Sequence, residues 1–169
     1  MYEFTYSKAS SLDDATSQFG TAEEGKYMSG GMTLLPTLKQ RLARPSNVID
    51  LAEVPDMAGI EVSGGIVSIK AMTRHAAVAA SADVQGAIPA LAKLAGGIGD
   101  PMVRNRGTIG GSIANNDPAA DYPGSVVGLG ATIHTNKREI AGDDFFLDLF
   151  ETALEEDEII TKVTYPVPD

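Results

Sequence analysis

Two short glycine-rich segments hold the residue types best suited to chemistry in this chain. The first is Ser29-Gly30-Gly31-Met32-Thr33. Its glycines let the backbone approach an anion closely, several amides can point at phosphate oxygens, and a helix after it would add the positive end of its dipole. Thr33 offers a hydroxyl donor. The spacing is neither the Gly-Lys-Ser/Thr ending of a Walker A loop nor the Gly-x-Gly-x-x-Gly of a dinucleotide turn. The second segment is Arg104-Asn105-Arg106-Gly107-Thr108-Ile109-Gly110-Gly111-Ser112, continuing to Asn115 and Asp121. Its glycines, Thr108, Ser112 and Asn115 supply many neutral donors, which suits a diphosphate or a ribityl chain, and Asp121 can accept from a sugar hydroxyl. Either segment alone also reads as an ordinary turn, with Asp117-Pro118 and Asp121 capping the next element.

No acid, base or nucleophile arrangement accompanies these loops. His75 and His134 are the only histidines, and their separation does not suggest a metal pair. His75 reads as a helix-surface or cap-associated residue and His134 as part of a strand. Tyr27 and Tyr122 lie near the loops and suit either a ligand ring or a lobe interface. Eight acidic residues between Gly142 and Glu158, with no Lys or Arg among them, read as a solvated face, because they lack the alternating ligands and fixed glycine of a calcium loop. The pattern points to a protein that holds a cofactor and lets the cofactor carry the chemistry.

Periodicity and turn signals outline the elements that must position the loops. Leu12, Ala15 and Phe19 share a helix face over Ser11 to Phe19, with Ser10 or Ser11 as cap and Gly20 as stop. Lys26 to Met28 reads as a strand entering the first loop, and Leu34, Leu35, Leu38 and Leu42 mark the stripe of the helix that leaves it. Asn47 to Leu51 reads as a strand, and Val62 to Ile69 as a hairpin turning at Gly64-Gly65. Thr73 is placed to cap a helix through Ala80, which ends before the polar stretch Ser81 to Gln85; another helix spans Ile88 to Leu94. Ile98 to Ser112 shows no helical period and reads as a loop. Ser125 to Leu129 suits a buried helix or strand, while Ala131 to Thr135 and Ile159 to Tyr165 alternate as strands.

Composition narrows the function classes. Apolar residues are 43% and charged residues 21% of the 169, the balance of a folded globular chain. A net charge of -10 opposes a phosphate backbone, so nucleic acid is not an expected partner. No run approaches the roughly 20 apolar residues of a membrane span, and Met1 to Ser10 lacks a basic segment followed by an apolar core, so a cytoplasmic protein that does not span a membrane is expected. The 169 residues contain no cysteine, so any thiolate-bound centre belongs on a partner.

Ser29 to Pro36, followed by Leu42-Ala43-Arg44-Pro45, resembles the first FAD loop of molybdenum hydroxylase flavoproteins. Asp100-Pro101-Met102-Val103 with Arg104 to Ser112, then Asp117-Pro118-Ala119-Ala120-Asp121, resembles the second FAD loop of the medium subunit of aerobic carbon monoxide dehydrogenases. Leu154 to Pro166 is similar to that family's Leu-x-x-x-Glu-Ile-Ile strand. The resemblance implies an α+β, two-lobed FAD-binding fold of the vanillyl-alcohol oxidase and molybdopterin dehydrogenase type, with an α/β first lobe at 1–54 and an α+β second lobe at 55–169. The family's third, C-terminal lobe has no counterpart in these residues. Carried over from the family, Gly30, Gly31, Met32 and Thr33, with Ser29, would hold the diphosphate of a noncovalent FAD from one side, and Thr108, Gly110, Gly111 and Ser112 from the other. Asn115 and Asp121 would bind the ribityl and adenosine portions, Ile109 would lie near the flavin ring and Ile160 near the adenine. Met32 departs from the His or polar residue of many relatives, which leaves only a backbone contact there. The implied role is the flavoprotein component of an oxidoreductase, with no catalytic residue and no metal of its own. The molybdenum cofactor would sit on a large partner subunit and [2Fe-2S] clusters on a small one. The alternative reading is a non-redox nucleotide-binding module using the same loops.

Overall fold

The computed structural model describes residues 1–168. Its first part runs β1 (Thr5–Lys8), α1 (Leu12–Gly20), β2 (Gly25–Met28), α2 (Leu34–Lys39) and β3 (Asn47–Asp50), forming a sheet of order β1-β3-β2 with both pairs parallel. The central strand is buried on both sides, as parallel sheets require. Successive side chains point to opposite faces, so Val48 joins a small cluster with Met28 and Leu38, while Ile49 enters the main core. The Ser11 hydroxyl accepts the Asp14 amide at 3.0 Å and starts α1, whose Ala15 is fully buried. Phe19 then stacks on Tyr27 at 4.8 Å.

The second part begins with β4 (Ile60–Ser63) and β5 (Ile66–Lys70), joined through Gly64 and Gly65 at positive φ. Helices α3 (His75–Ala80), α4 (Ala82–Ala87), α5 (Pro89–Gly97), α6 (Pro101–Arg104), α7 (Ile109–Asn115) and α8 (Tyr122–Gly128) come next. After them lie β6 (Thr132–Thr135), β7 (Glu139–Ala141), α9 (Gly142–Phe145), β8 (Phe146–Asp148), β9 (Glu151–Thr152) and β10 (Ile160–Pro166). An antiparallel sheet of order β4-β5-β10-β6-β7 results, with a separate β8-β9 hairpin. Val67, Ile69, Ile133, Val163 and Tyr165 bury one sheet face in the main core, which is continuous with Ile49, Leu51 and Val54 of the first part.

Several local expectations need correction. The segment expected as a loop from Ile98 to Ser112 contains α6 and the start of α7. Glycine conceals the helix, because positions 110 and 111 have no side chains to show a period; a Cβ on Gly110 would sit 2.6 Å from that of Ala71. The Thr73 hydroxyl does not cap α3. It bonds both the amide and the carbonyl of Gly59 at 3.0 Å, and Arg74 occupies the cap position without a side-chain bond. Helix α2 stops at Lys39, because Arg41 adopts φ 61° and the Leu42 amide turns back to the Thr37 carbonyl, an ending usually made with glycine. Leu42 consequently leaves the expected apolar stripe and is exposed. The polar stretch Ser81 to Gln85, which carries no expected element, opens α4 with Ser81 as its cap. His75, expected on a helix surface or near a cap, directly follows the cap residue Arg74 and is buried.

Candidate functional site

A cleft of about 660 Å³ runs between the two glycine segments. Ser29, Gly30, Gly31, Met32 and Thr33 line it from the first part of the chain, and Thr108, Gly110, Gly111, Ser112, Asn115, Asp121 and Ile160 from the second. Ile109 is the exception among the expected residues. It is fully buried in the main core and does not line the cleft.

The two segments touch. A Cβ on Gly30 would collide with the Arg106 carbonyl oxygen and lie 2.8 Å from the Gly107 Cα, so only glycine fits at this crossing. Beside it the Thr108 hydroxyl donates to Ser29 Oγ at 3.0 Å while accepting the Gly111 amide at 3.1 Å. One hydroxyl thus caps α7 and joins the two segments. A Cβ on Gly111 would meet Ser29 Oγ, which explains the glycine at the floor of this bridge.

The two walls differ in how their backbone amides are bonded. Among the described residues, no hydrogen bond uses the amides of residues 30–34, so several successive donors stay unpaired where the strand turns into α2. Orphan amides of this kind form an anion-binding concavity. Across the cleft the Ile109 amide bonds the Thr73 carbonyl and the Gly110 amide bonds that of Ala71, while the Gly111 and Ser112 amides are taken by Thr108. The second wall therefore offers side chains: Ser112, Asn115 and Asp121 make no side-chain hydrogen bond among the described residues. This donor set fits the diphosphate and polyhydroxyl portions of FAD.

Within the second wall His75 also lines the cleft; its amide bonds the Gly107 carbonyl at 3.0 Å, and a Cβ on Gly107 would come within 2.6 Å of His75 Nε2. Burial holds the imidazole down to about 4, against a weaker opposing pull from Asp121, so it is neutral near pH 7. Its Nδ1 is buried without a partner, and its ring lies 5.4 Å from that of Tyr122. His134 lies outside the cleft, between Glu139 at 3.0 Å and the Thr164 hydroxyl at 2.9 Å.

The cleft's far edge is the segment 154–160. Leu154, Glu158, Ile159 and Ile160 line it. Glu158 is buried as a carboxylate. Burial alone would raise its proton affinity, but Arg138, the Glu155 amide and the Thr135 hydroxyl outweigh that and hold it down to about 2. Arg138 also donates to the Ala153 carbonyl at 2.6 Å, and Lys137 reaches both Glu155 and Asp157. The Asp157 carbonyl accepts Tyr27 OH at 3.4 Å, a link to the first part of the chain. Part of the acidic run is therefore a braced strap rather than only a solvated face. Sequence reasoning also missed Phe150, which lines the cleft, and Asn116, which does not line it but bonds the turn that carries Phe150; the left-handed backbone at each is the relevant feature, and only the asparagine signals it by residue type.

Fold and site together define a two-lobed α+β flavin-nucleotide domain. Over residues 2–168 the chain matches the FAD binding domain in molybdopterin dehydrogenase and belongs to that family. It is 38% identical over 165 residues to the nicotine 6-hydroxylase medium subunit of Paenarthrobacter nicotinovorans, covering 95% of this chain and 58% of the relative. It is 37% identical over 168 residues to the carbon monoxide dehydrogenase medium chain of Hydrogenophaga pseudoflava, covering 96% of this chain and 58% of that one. The solved carbon monoxide dehydrogenase from Hydrogenophaga pseudoflava, described as lacking the Mo-pyranopterin moiety of its cofactor, superposes with a TM-score of 0.95 at 37% identity. That match covers 99% of this chain and 60% of the other. The chain thus spans about three fifths of these relatives' length. No helix among the described residues is long and apolar enough to cross a membrane.

Proposed function

We propose that this chain holds FAD as the flavin-bearing part of a molybdenum hydroxylase. In that role it relays electrons from molybdenum and iron-sulfur centres on a large and a small partner subunit to an external acceptor. The observation that carries the reading is the row of unpaired amides at residues 30–34, facing Ser112, Asn115 and Asp121 across one cleft. FAD, when bound, supplies reversible electron uptake that no side chain here provides. The protein's part is to bind and orient. The amides of Gly30, Gly31, Met32 and Thr33 hold the diphosphate, the Ser29 hydroxyl has its proton free to donate, and Ile160 packs against a ring. Ser112, Asn115 and Asp121 take the ribityl and adenosine hydroxyls. The absence of cysteine in these residues is consistent with metal centres held elsewhere.

Titrating the purified protein with FAD tests the binding half of this reading: saturable one-to-one binding is expected, and a folded protein that fails to bind overturns it. The relay is tested by isolating the protein with its partner subunits and adding the assembly's substrate. Bleaching of the flavin band is expected; an unchanged band in an assembly that still turns over substrate rejects the relay.

A further inference from the structure

Phe150 occupies a position that a tight turn normally gives to glycine or asparagine. The turn Leu149-Phe150 joins β8 to β9, and Phe150 adopts φ 57°, a conformation in which an aromatic residue is a genuine outlier. Strain of this kind persists only where surrounding structure enforces it. Here Asn116 enforces it. Asn116 is itself left-handed at φ 43°, nearly buried, and its side-chain amide donates to the Asp148 and Glu151 carbonyls at 2.8 and 2.9 Å. Its own carbonyl accepts the Phe150 amide at 3.1 Å. The hairpin is thus clamped on both sides of the strained residue.

The clamp presents an aromatic side chain at the edge of the cleft. Phe150 is 60% exposed and lines the cleft, whereas its exposed hairpin neighbours Leu147 and Leu149 do not. Asn116 stands directly after Asn115, so the residue that clamps the turn is joined to a residue of the second wall without lining the cleft itself. Phe150 lines the same cleft as the unpaired amides at residues 30–34, so its aromatic face is open to a planar ring of a ligand whose phosphate they would hold. We propose that Phe150 is a ring-stacking residue for the bound cofactor, presented by Asn116; this rests on the reading that the cleft takes FAD.

Phe150→Gly separates function from structure, because it removes the ring and the backbone strain together. The expected result is a melting temperature of the cofactor-free protein no lower than wild type, with FAD affinity weakened about tenfold, within the range that aromatic stacking supplies. Phe150→Tyr should restore affinity, and Asn116→Asp, which keeps the turn residue but loses both donated bonds, should weaken it. ADP and FMN titrations identify the ring, since the loss reappears with whichever half-ligand carries it. Unchanged FAD affinity in Phe150→Gly overturns the proposal and leaves the hairpin, with Leu147 and Leu149, as a surface for a protein partner. A wild-type protein that binds no FAD overturns the underlying reading as well, and that outcome is distinguishable because it appears before any substitution.

Discussion

The first glycine segment leaves its amides at residues 30–34 unpaired, whereas the second spends those at 109–112 on Thr73, Ala71 and Thr108. Both are rich in glycine and hydroxyls, yet their glycines serve different ends. In the first segment Gly31 needs its φ of 71°, and Gly30 clears the way for a crossing backbone. In the second, Gly110 and Gly111 are helical, and they are small because Ala71 and Ser29 press against them. One segment leaves a row of backbone donors open; the other is a braced wall that supplies side chains.

The sharpest way to break this comparison is Gly30→Ala. Its methyl group would meet the backbone of Arg106 and Gly107, which cannot rotate away, so the expected outcome is loss of FAD binding with a stability cost of about 1–3 kcal/mol or more. Calorimetry with and without FAD checks both. Full affinity would mean the crossing is not the hinge of the site.

His75 braces only the second wall, so acid should loosen that wall first. Its folded proton affinity is depressed by burial from 6.5 to about 4, so the unfolded chain binds the proton more readily. The stability this contributes is full above about pH 6.5 and is lost as pH falls toward 4, an effect worth roughly 3 kcal/mol. Melting curves across that window should flatten in His75→Gln. Glu158 acts lower, from about pH 4.5 down to 2, where its carboxylate loses Arg138; Glu158→Gln should remove that acid limb.

Smaller effects separate the two tasks of the Thr108 hydroxyl. Thr108→Ala removes the α7 cap and the bridge to Ser29 together, with an expected cost of about 1 kcal/mol and weaker FAD binding. Ser29→Ala removes the bridge alone and should cost less stability. Equal losses in denaturant titrations would show that the cap contributes nothing. Gly111→Ala should weaken binding through its contact with Ser29 Oγ, and Ser29→Ala in the same chain should restore part of it.

Much of this is legible in the linear chain, and the failures have physical causes. The parallel β2-α2-β3 unit is visible because Met28, Leu38, Val48 and Ile49 keep strand and helix periods. The loops are visible through glycine and hydroxyl spacing. Helix α7 is not, since Gly110 and Gly111 erase the period on which a helix is recognised. Thr73 misleads because a hydroxyl before a helix is a cap by local rules, and only the fold brings Gly59 within its reach. Ile109, expected by resemblance beside the flavin ring, points into the core because it opens α7 on the face packed against the sheet. Phe150 carries no signal at all, since a clamp made by Asn116 is a contact between distant residues.

Sequence by itself determined the family, the α+β content, the two anion-suited segments and the lack of any thiolate ligand, because each is written in residue types and short spacings. Tertiary structure alone decided which amides stay unpaired, that Gly30 crosses Arg106, that the acidic run is partly a strap held through Glu158, and that a phenylalanine overhangs the cleft. Those outcomes depend on which distant groups meet. Hydrogen-bond capacity belongs to a residue, but whether that capacity is already spent depends on its neighbours in space.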